Sequence, residues 1–519
     1  MSILIVYNIF TFNQFYYNMP FKKHAILVFL FLLAACQEGD KKNVLPIEEP
    51  LIVQPPIPQP EKKPNIIVIF TDDQGFSDLG VQKLLPDVKT PHIDQLAANG
   101  VRMTNGYVTA PQCTPSRAGM ISGQYQQRFG VDDNRYTPMP IDVVTLGEHF
   151  QALDYKTGMT GKWHLDINRL SQEWLLENYP DIDPNTFNVN QIPLEVKKQY
   201  FPNHRGYQDT YFGNINQYWA TFDKQGNTIP EKYIKDESYR IDVVSDASVA
   251  FIERNHETPF YLHVAHFGPH VPMGAPETYL QRFPDNSIVR RQYALAMISA
   301  IDDGVGKIVS ALNKYQLLEN TMIIFISDNG APLGLDMTDT PISNNKEAWN
   351  GSMNFPLAGE KGMLTDGGIK VPYIIQWPNK IQGGIVLEQP VISLDATYTA
   401  LKAAGATSEM LEKIDGVDLI PALTESPLFL EERPIFWRFW NQSAVRTGNW
   451  KYLKVGNTNE YLFNMSSPEH STYNLLSQEP EIANKMKIKL MEWEKGLKRA
   501  NESLEPNNQE KVWYEHYLH

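Results

Sequence analysis

Cysteine is nearly absent. The 519-residue chain has two, Cys36 and Cys113, so no disulfide framework holds the fold and no cysteine-rich metal cluster is available. Blocks of lysine and arginine are missing too. With 46 basic against 60 acidic residues the formal net charge is -14, which excludes a nucleic-acid role built on clustered cations. A pocket can still be locally basic on such a protein. The apolar run 25–33 is too short to span a bilayer comfortably, and no internal repeat recurs. What the chain has is core material. Its 42% hydrophobic and 11% aromatic content can bury at least one large core, and 20% charged residues argue against general disorder. This is an enzyme-sized globular protein.

The N-terminus stands apart from the fold. Phe21-Lys22-Lys23-His24 gives a basic flank, residues 25–33 an apolar stretch, and Leu33-Ala34-Ala35-Cys36 a small-residue end with cysteine. The pattern resembles a bacterial lipoprotein signal. It implies that the lipoprotein-processing machinery acylates Cys36 and cuts before it, which anchors the protein to a membrane without spanning it. The expected location is the outer membrane, on its periplasmic or cell-surface face. The uncharged stretch 1–18 makes Met19 a more natural start than Met1, and a retained N-terminal membrane helix is the plainer alternative. Residues 1–35 are therefore read as the signal region. Residues 36–64 are read as a lipidated cysteine followed by a stiff tether, since seven prolines lie between Pro46 and Pro64. That leaves Cys113 as the one thiol, which is either an inert buried side chain or one with a chemical purpose.

Beyond the tether, apolar runs alternate with helical patterns. Residues 65–70, 156–160, 259–265, 321–327 and 373–377 read as buried strands. Residues 239–254, 290–315 and 394–404 read as helices, the last stopped by Gly405. The expectation is an α/β domain over 65–432 with a large, mostly parallel central sheet flanked by helices, its ligands at the carboxyl ends of the strands. Past about residue 433 the texture turns aromatic and alternating. A small antiparallel sheet (435–440, 443–446, 450–455 and 460–463) with one helix (479–499) is expected over 433–519.

Two of the predicted strands end in carboxylates. Residues 66–70 run into Thr71-Asp72-Asp73, and 322–326 run into Ser327-Asp328-Asn329-Gly330. Asp72, Asp73, Asp328 and Asn329 together outline a hard-cation site suited to Ca²⁺ ahead of Mg²⁺. The lack of Cys or clustered His there argues against zinc. Either pair alone is equally a turn or a helix cap.

Between these pairs stands Cys113-Thr114-Pro115-Ser116-Arg117, followed by Ala118-Gly119-Met120-Ile121-Ser122-Gly123. The run resembles the signature of the type I sulfatases, and every fixed position is present. Three further stretches extend the resemblance: Thr157-Gly158-Met159-Thr160-Gly161-Lys162-Trp163-His164-Leu165, Pro269-His270-Val271-Pro272, and Gly359-Glu360-Lys361-Gly362. Asp154 and Asp166 depart from it where the family usually has glycine. The resemblance implies an alkaline-phosphatase-like sandwich. It also implies that a maturation enzyme oxidises Cys113 to formylglycine, whose hydrated aldehyde is the nucleophile and a further metal ligand. Arg117, Lys162 and Lys361 would bind the sulfate, His164 would hold or deprotonate the formylglycine hydroxyl, and His270 would protonate the leaving alcohol with a pKa near neutrality. His263 and His266 read as packed histidines.

The setting points to sulfated polysaccharides or oligosaccharides as substrates, with residues 204–219 and 333–355 as substrate-facing segments. Two other functions fit the same residues less well. One is a phosphoester or phosphonate-ester hydrolase of the same superfamily; the other is a catalytically silent glycan-binding lipoprotein, against which every catalytic position is filled.

Overall fold

Strands buried at every position build the centre of the molecule. The structure, a computed structural model, describes residues 62–519 apart from 184, 344–347, 425–429, 467–471, 499–505 and 519. The signal, Cys36 and almost all of the tether lie outside the described residues. No described helix is long and apolar enough to cross a membrane.

In strand Asn65–Asp72, Ile66, Val68 and Phe70 point to one face and Ile67 and Ile69 to the other, all fully buried. Strand Thr321–Ser327 divides in the same way, Met322, Ile324 and Ile326 against Ile323 and Phe325. Each such side chain removed from water stabilises the fold by roughly 1.5–3 kcal/mol. A strand apolar on both faces needs a layer on each side. The first face is covered by helices Cys113–Ser122, Leu146–Ala152 and Ser393–Ala403, and the second by Pro91–Ala98, Arg240–Asn255 and Val289–Lys314.

The sheet has ten strands, in the order Ile385–Leu387, Val101–Met103, Tyr373–Gln376, Thr321–Ser327, Asn65–Asp72, Phe260–Pro269, Lys156–Gly161, Asp209–Gly213, Gln217–Phe222, Thr228–Lys235. The middle of this order, Thr321–Ser327 to Asp209–Gly213, is parallel. Tyr373–Gln376 and Gln217–Phe222 run against it. All five expected strands of the main domain are present, and the sheet is mostly parallel as expected. In the segment 204–219, Tyr211, Phe212, Tyr218 and Trp219 are buried in sheet packing, which removes these aromatics as sugar-facing groups, while Asn214, Ile215 and Gln217 at the hairpin are exposed.

The C-terminal sheet is antiparallel, Ile435–Phe439, Gln442–Thr447, Trp450–Val455 and Asn459–Asn464. Helix Pro480–Glu494 packs on the face formed by Val445, Tyr452 and Leu462. A further helix, Asn508–Tyr517, carries no strong periodicity and sets Trp513 and Tyr514 on the opposite face, beside Trp437, Phe439 and Leu453. The same face bears a buried ion pair to the main body. Lys451 Nζ donates to Asp366 Oδ1 at 2.8 Å, and Tyr107 Oη donates to Asp366 Oδ2 at 2.9 Å. Burial opposes the charge on Asp366, but Lys451, Lys370 and Arg446 outweigh it and hold the carboxyl at about 2.

Removing that carboxylate strands buried cations. Asp366→Ala is expected to lower stability by about 3–5 kcal/mol in a denaturant titration near neutral pH. Because the folded pKa is depressed, the stabilisation is present above the unfolded pKa of about 3.9 and fades as pH falls toward 2. A loss below about 1 kcal/mol would show that the pair does not hold the two sheets together.

Candidate active site

The carboxyl ends of the parallel strands converge on Cys113. Asn65–Asp72 delivers Asp72 and Asp73, Thr321–Ser327 delivers Asp328 and Asn329, Lys156–Gly161 runs into Lys162 and His164, and Phe260–Pro269 runs into His270. Register places Asp72 opposite Pro269 and Thr71 opposite Ser327, so the ends arrive at one level. Opposite them the buried helix Cys113–Ser122 points its N-terminus at the site, which leaves unpaired amide donors and positive potential there. The helix opens at Cys113, two residues before Pro115. It stops at Gly123, whose φ of 68° suits glycine and where a Cβ would press on Thr397 and Ile414.

Every expected catalytic and metal-binding residue is in this cluster, and Cys36, the expected lipidation site, lies outside the described residues. Cys113 Sγ lies 3.4 Å from Asp72 Oδ1, 3.9 Å from Asp73 Oδ1 and 3.4 Å from Lys361 Nζ. Lys162 Nζ donates to both oxygens of Asp72 at 2.8 and 2.7 Å, and Lys361 Nζ to both of Asp73 at 2.7 and 2.9 Å. Arg117 grips Asp328 Oδ2 through Nε at 3.0 Å and Nη2 at 2.7 Å. Asp328 Oδ1 accepts from the Asp73 amide at 3.0 Å, and Asn329 Nδ2 donates to Asp73 Oδ1 at 2.6 Å. His270 Nε2 is 3.7 Å from Asp73 Oδ2, and its Nδ1 meets the Val271 carbonyl at 2.5 Å. His164 sits at φ 61°, tied to the helix by a 3.2 Å bond from Thr114 Oγ1 to its carbonyl, and its Nδ1 is buried without a protein partner. Asp154 has φ 60°, which explains why glycine is usual there and leaves the strand that follows it intact.

Electrostatics separate the groups. Lys162, His270, Arg117 and Lys361 overcome the burial of Asp72 and hold it well below the usual carboxylate range. Burial pushes the Cys113 thiol far up, and Lys162 and Lys361 only partly offset it. An unmodified Cys113 is therefore a poor source of thiolate. Burial lowers His263 and His266 to about 3 each, as expected of packed neutral histidines. It also lowers His270 to about 4 despite Asp72 and Asp73, which corrects the near-neutral value expected from the sequence. With these neighbours alone His270 is neutral at pH 7, and the negative charge of a bound anion would favour its protonation.

Asp72, Asp73, Cys113 and His270 offer ligand atoms within 4.8 Å of one another, and of these the two carboxylates are the ones that suit a hard cation. Asn329 Oδ1 is buried with no hydrogen-bond partner, which is costly unless something else satisfies it. Asp328 has each oxygen already engaged, so its part in a cation site is shared with anchoring Arg117.

Other contributors were given no role by the sequence. Asn134 Oδ1 accepts from the Thr114 amide at 3.0 Å across a long loop. Glu360 accepts from the amides of Leu333, Gly334 and Leu335 at 2.8, 2.7 and 3.0 Å, which fixes the backbone beside Lys361. In the segment 333–355, Asn350 Nδ2 lies 3.4 Å from the Asp73 carbonyl and 3.5 Å from that of Pro269, so part of that segment does border the site.

Paired cations and carboxylates gathered around Cys113 at the strand ends of this sandwich are the groups that a hydrolase of ester anions needs. The family model described as Sulfatase matches residues 64–406, and the chain belongs to that family of sulfuric ester hydrolases. It is 31% identical over 409 residues to N-acetylgalactosamine-6-sulfatase of Mus musculus, covering 76% of this chain and 72% of that protein. To arylsulfatase J of Mus musculus it is 28% identical over 431 residues, covering 75% of this chain but only 64% of that one. Among solved structures, Ps i-CgsB in complex with k-i-k-neocarrahexaose superposes with a TM-score of 0.68 at 27% identity, covering 88% of this chain and 97% of that one.

The carboxylate cluster generates a test independent of turnover. Adding Ca²⁺ to the metal-stripped protein should raise its melting temperature as mass action requires, and Asp73→Ala or Asn329→Ala should abolish or sharply weaken the shift. An unshifted melting temperature at millimolar Ca²⁺, or a full shift in both variants, would remove the cation from these residues.

Proposed function

We propose that the protein is an exported, lipid-anchored sulfatase that hydrolyses sulfate esters of polysaccharides or oligosaccharides. Its nucleophile is formylglycine made from Cys113 by a maturation enzyme, and Ca²⁺ is held by Asp72, Asp73, Asp328, Asn329 and the modified Cys113. One observation carries the reading: Arg117, Lys162, Lys361 and His270 surround a buried Cys113 whose own thiol is unsuited to ionise. The relative named for N-acetylgalactosamine 6-sulfate and the neighbour bound to a neocarrahexaose support the carbohydrate class. The N-terminal pattern ending in Cys36 supports export and lipidation.

Bound in this site, the cation would supply charge compensation and the hydrated aldehyde an oxygen nucleophile. The chain's own residues do the rest. Arg117 keeps its position through Asp328, so its charge is set before substrate arrives. Lys162 and Lys361, each resting on a carboxylate that a cation would claim, turn their ammonium groups onto the sulfate oxygens. His164, whose buried Nδ1 has no protein partner, is the residue that would hold or deprotonate the formylglycine hydroxyl. With Nδ1–H of His270 donating to Val271, the ring must take a second proton on Nε2, favoured by a bound anion, and Nε2 then gives that proton to the leaving alcohol.

An aryl sulfate and an aryl phosphate separate this reading from a phosphoester or phosphonate-ester hydrolase, and sulfate release from any sulfated sugar separates it from a silent glycan-binding protein. His270→Ala is expected to slow a sugar sulfate, whose alcohol leaves poorly, by about 10²–10⁴-fold and an aryl sulfate far less. Initial rates of sulfate release from both substrates check this. Equal losses on both would remove His270 from the acid role.

A further inference from the structure

The loop that carries His270 is held by a side chain that the chemistry above leaves out. Pro269 and Pro272 have no backbone N–H, so this stretch lacks two of the donors by which a turn ties itself down. Its hold comes from outside and acts on carbonyls. Arg240 Nη2 donates to the His270 carbonyl at 2.6 Å and to the Pro272 carbonyl at 2.9 Å. Between those two lies Val271, whose own carbonyl takes the Nδ1–H of His270. The peptide that orients the imidazole is thus pinned on both sides by one guanidinium.

Arg240 occupies its place against opposing forces. It is the first residue of helix Arg240–Asn255, where a positive charge opposes the helix dipole, and only 7% of it is exposed. Burial lowers its pKa, and Tyr239 and Asp72 work against that, so its charge lies within electrostatic reach of the carboxylate cluster. The guanidinium also lies over the Phe267 ring, 5.5 Å from its centroid, on the strand that leads into the loop. A solvated arginine would meet neither penalty. The arrangement gives the ring a rigid frame: with Nδ1 engaged at Val271, Nε2 stays on the side of Asp73, 3.7 Å from its Oδ2.

We propose that Arg240 is a positioning residue for acid catalysis, acting through His270 by fixing the Val271 peptide and with it the direction of Nε2. Its hydrogen bonds go to the loop backbone and to no group that reacts. The inference rests on the reading of His270 as the group that protonates the leaving alcohol. Proton delivery depends on geometry, and a displacement of about 1 Å can slow such a step about a hundredfold.

The test uses the mature enzyme and the variants Arg240→Met, Arg240→Lys and His270→Ala, with Arg240→Met and His270→Ala also combined. The substrates are aryl sulfates whose phenols fall in graded acidity. With the most acidic phenol, which leaves unaided, Arg240→Met should keep kcat/KM within about threefold, and with the least acidic it should lose about tenfold to a hundredfold. The inhibition constant of inorganic sulfate should stay within about threefold, since holding the anion does not pass through the acid. Arg240→Lys keeps a charged donor and should recover part of the loss. Added to His270→Ala, Arg240→Met should change kcat/KM by less than about twofold on any member, because the two residues act as one unit. A loss from Arg240→Met that is even across the series, that appears in the sulfate inhibition constant, or that persists undiminished on top of His270→Ala would overturn the inference. If a melting curve shows Arg240→Met unfolded, Arg240→Lys, alone and with His270→Ala, carries the same comparison. Even losses across the series for His270→Ala alone would remove the acid reading and the inference together. A graded loss for His270→Ala beside an even one for Arg240→Met would remove only the inference.

Discussion

Charge balance in a buried space governs this molecule. Asp72, Asp73 and Asp328 are packed at the strand ends and matched by Lys162, Lys361 and Arg117. Any of these charges alone would be destabilising there by several kcal/mol, and only mutual pairing with further hydrogen bonds makes the set tolerable. The match also leaves the site poised. A divalent cation taken up by the carboxylates would give the pocket an excess of positive charge, and a sulfate ester is the kind of anion that would restore the balance. Lys162 rests on Asp72 and Lys361 on Asp73, whereas Arg117 gives two bonds to Asp328 Oδ2 and also lies 3.6 Å from Asp72.

The supporting structure serves this balance. Parallel strands buried on both faces set the carboxylates at one level, and a helix with no exposed residue gives Cys113 a fixed backbone. The C-terminal unit reaches the site indirectly. Trp513 lies where any side chain on Gly362 would sit, and Tyr517 Oη approaches Glu360 at 3.3 Å, so the backbone on both sides of Lys361 is braced from that helix.

Legibility from sequence followed burial. The central strands were readable because continuous apolar runs such as Ile66 to Phe70 leave few alternatives, and their terminal acids marked the cation site. Strand Thr228–Lys235, at the sheet edge and largely exposed, carries no such run, and Val101–Met103 is too short to stand out. The aromatic residues from Tyr211 to Trp219 misled because packing and sugar binding draw on the same side chains. Asn134 acts through contacts between distant loops, which no local pattern encodes, and although Asn350 and Glu360 lie in stretches singled out in the sequence, their bonds to other loops are not legible there. The depressed pKa of His270 likewise depends on burial that a four-residue motif does not reveal. The readings at Cys36 and in most of the tether fall outside the described residues.

The central claim is that Cys113 works as something other than a thiol. A thiolate attacking sulfate offers no easy second step, whereas a gem-diol has a spare hydroxyl whose deprotonation expels the sulfate. In protein lacking the segment through Cys36, one cysteine remains, so thiol titration after denaturation counts unmodified Cys113 and a carbonyl-reactive probe counts the aldehyde. Preparations made with and without a co-expressed maturation system are predicted to show sulfate ester turnover rising in proportion to aldehyde and falling as thiol rises. Normal turnover from a preparation with a full equivalent of free thiol would contradict the account.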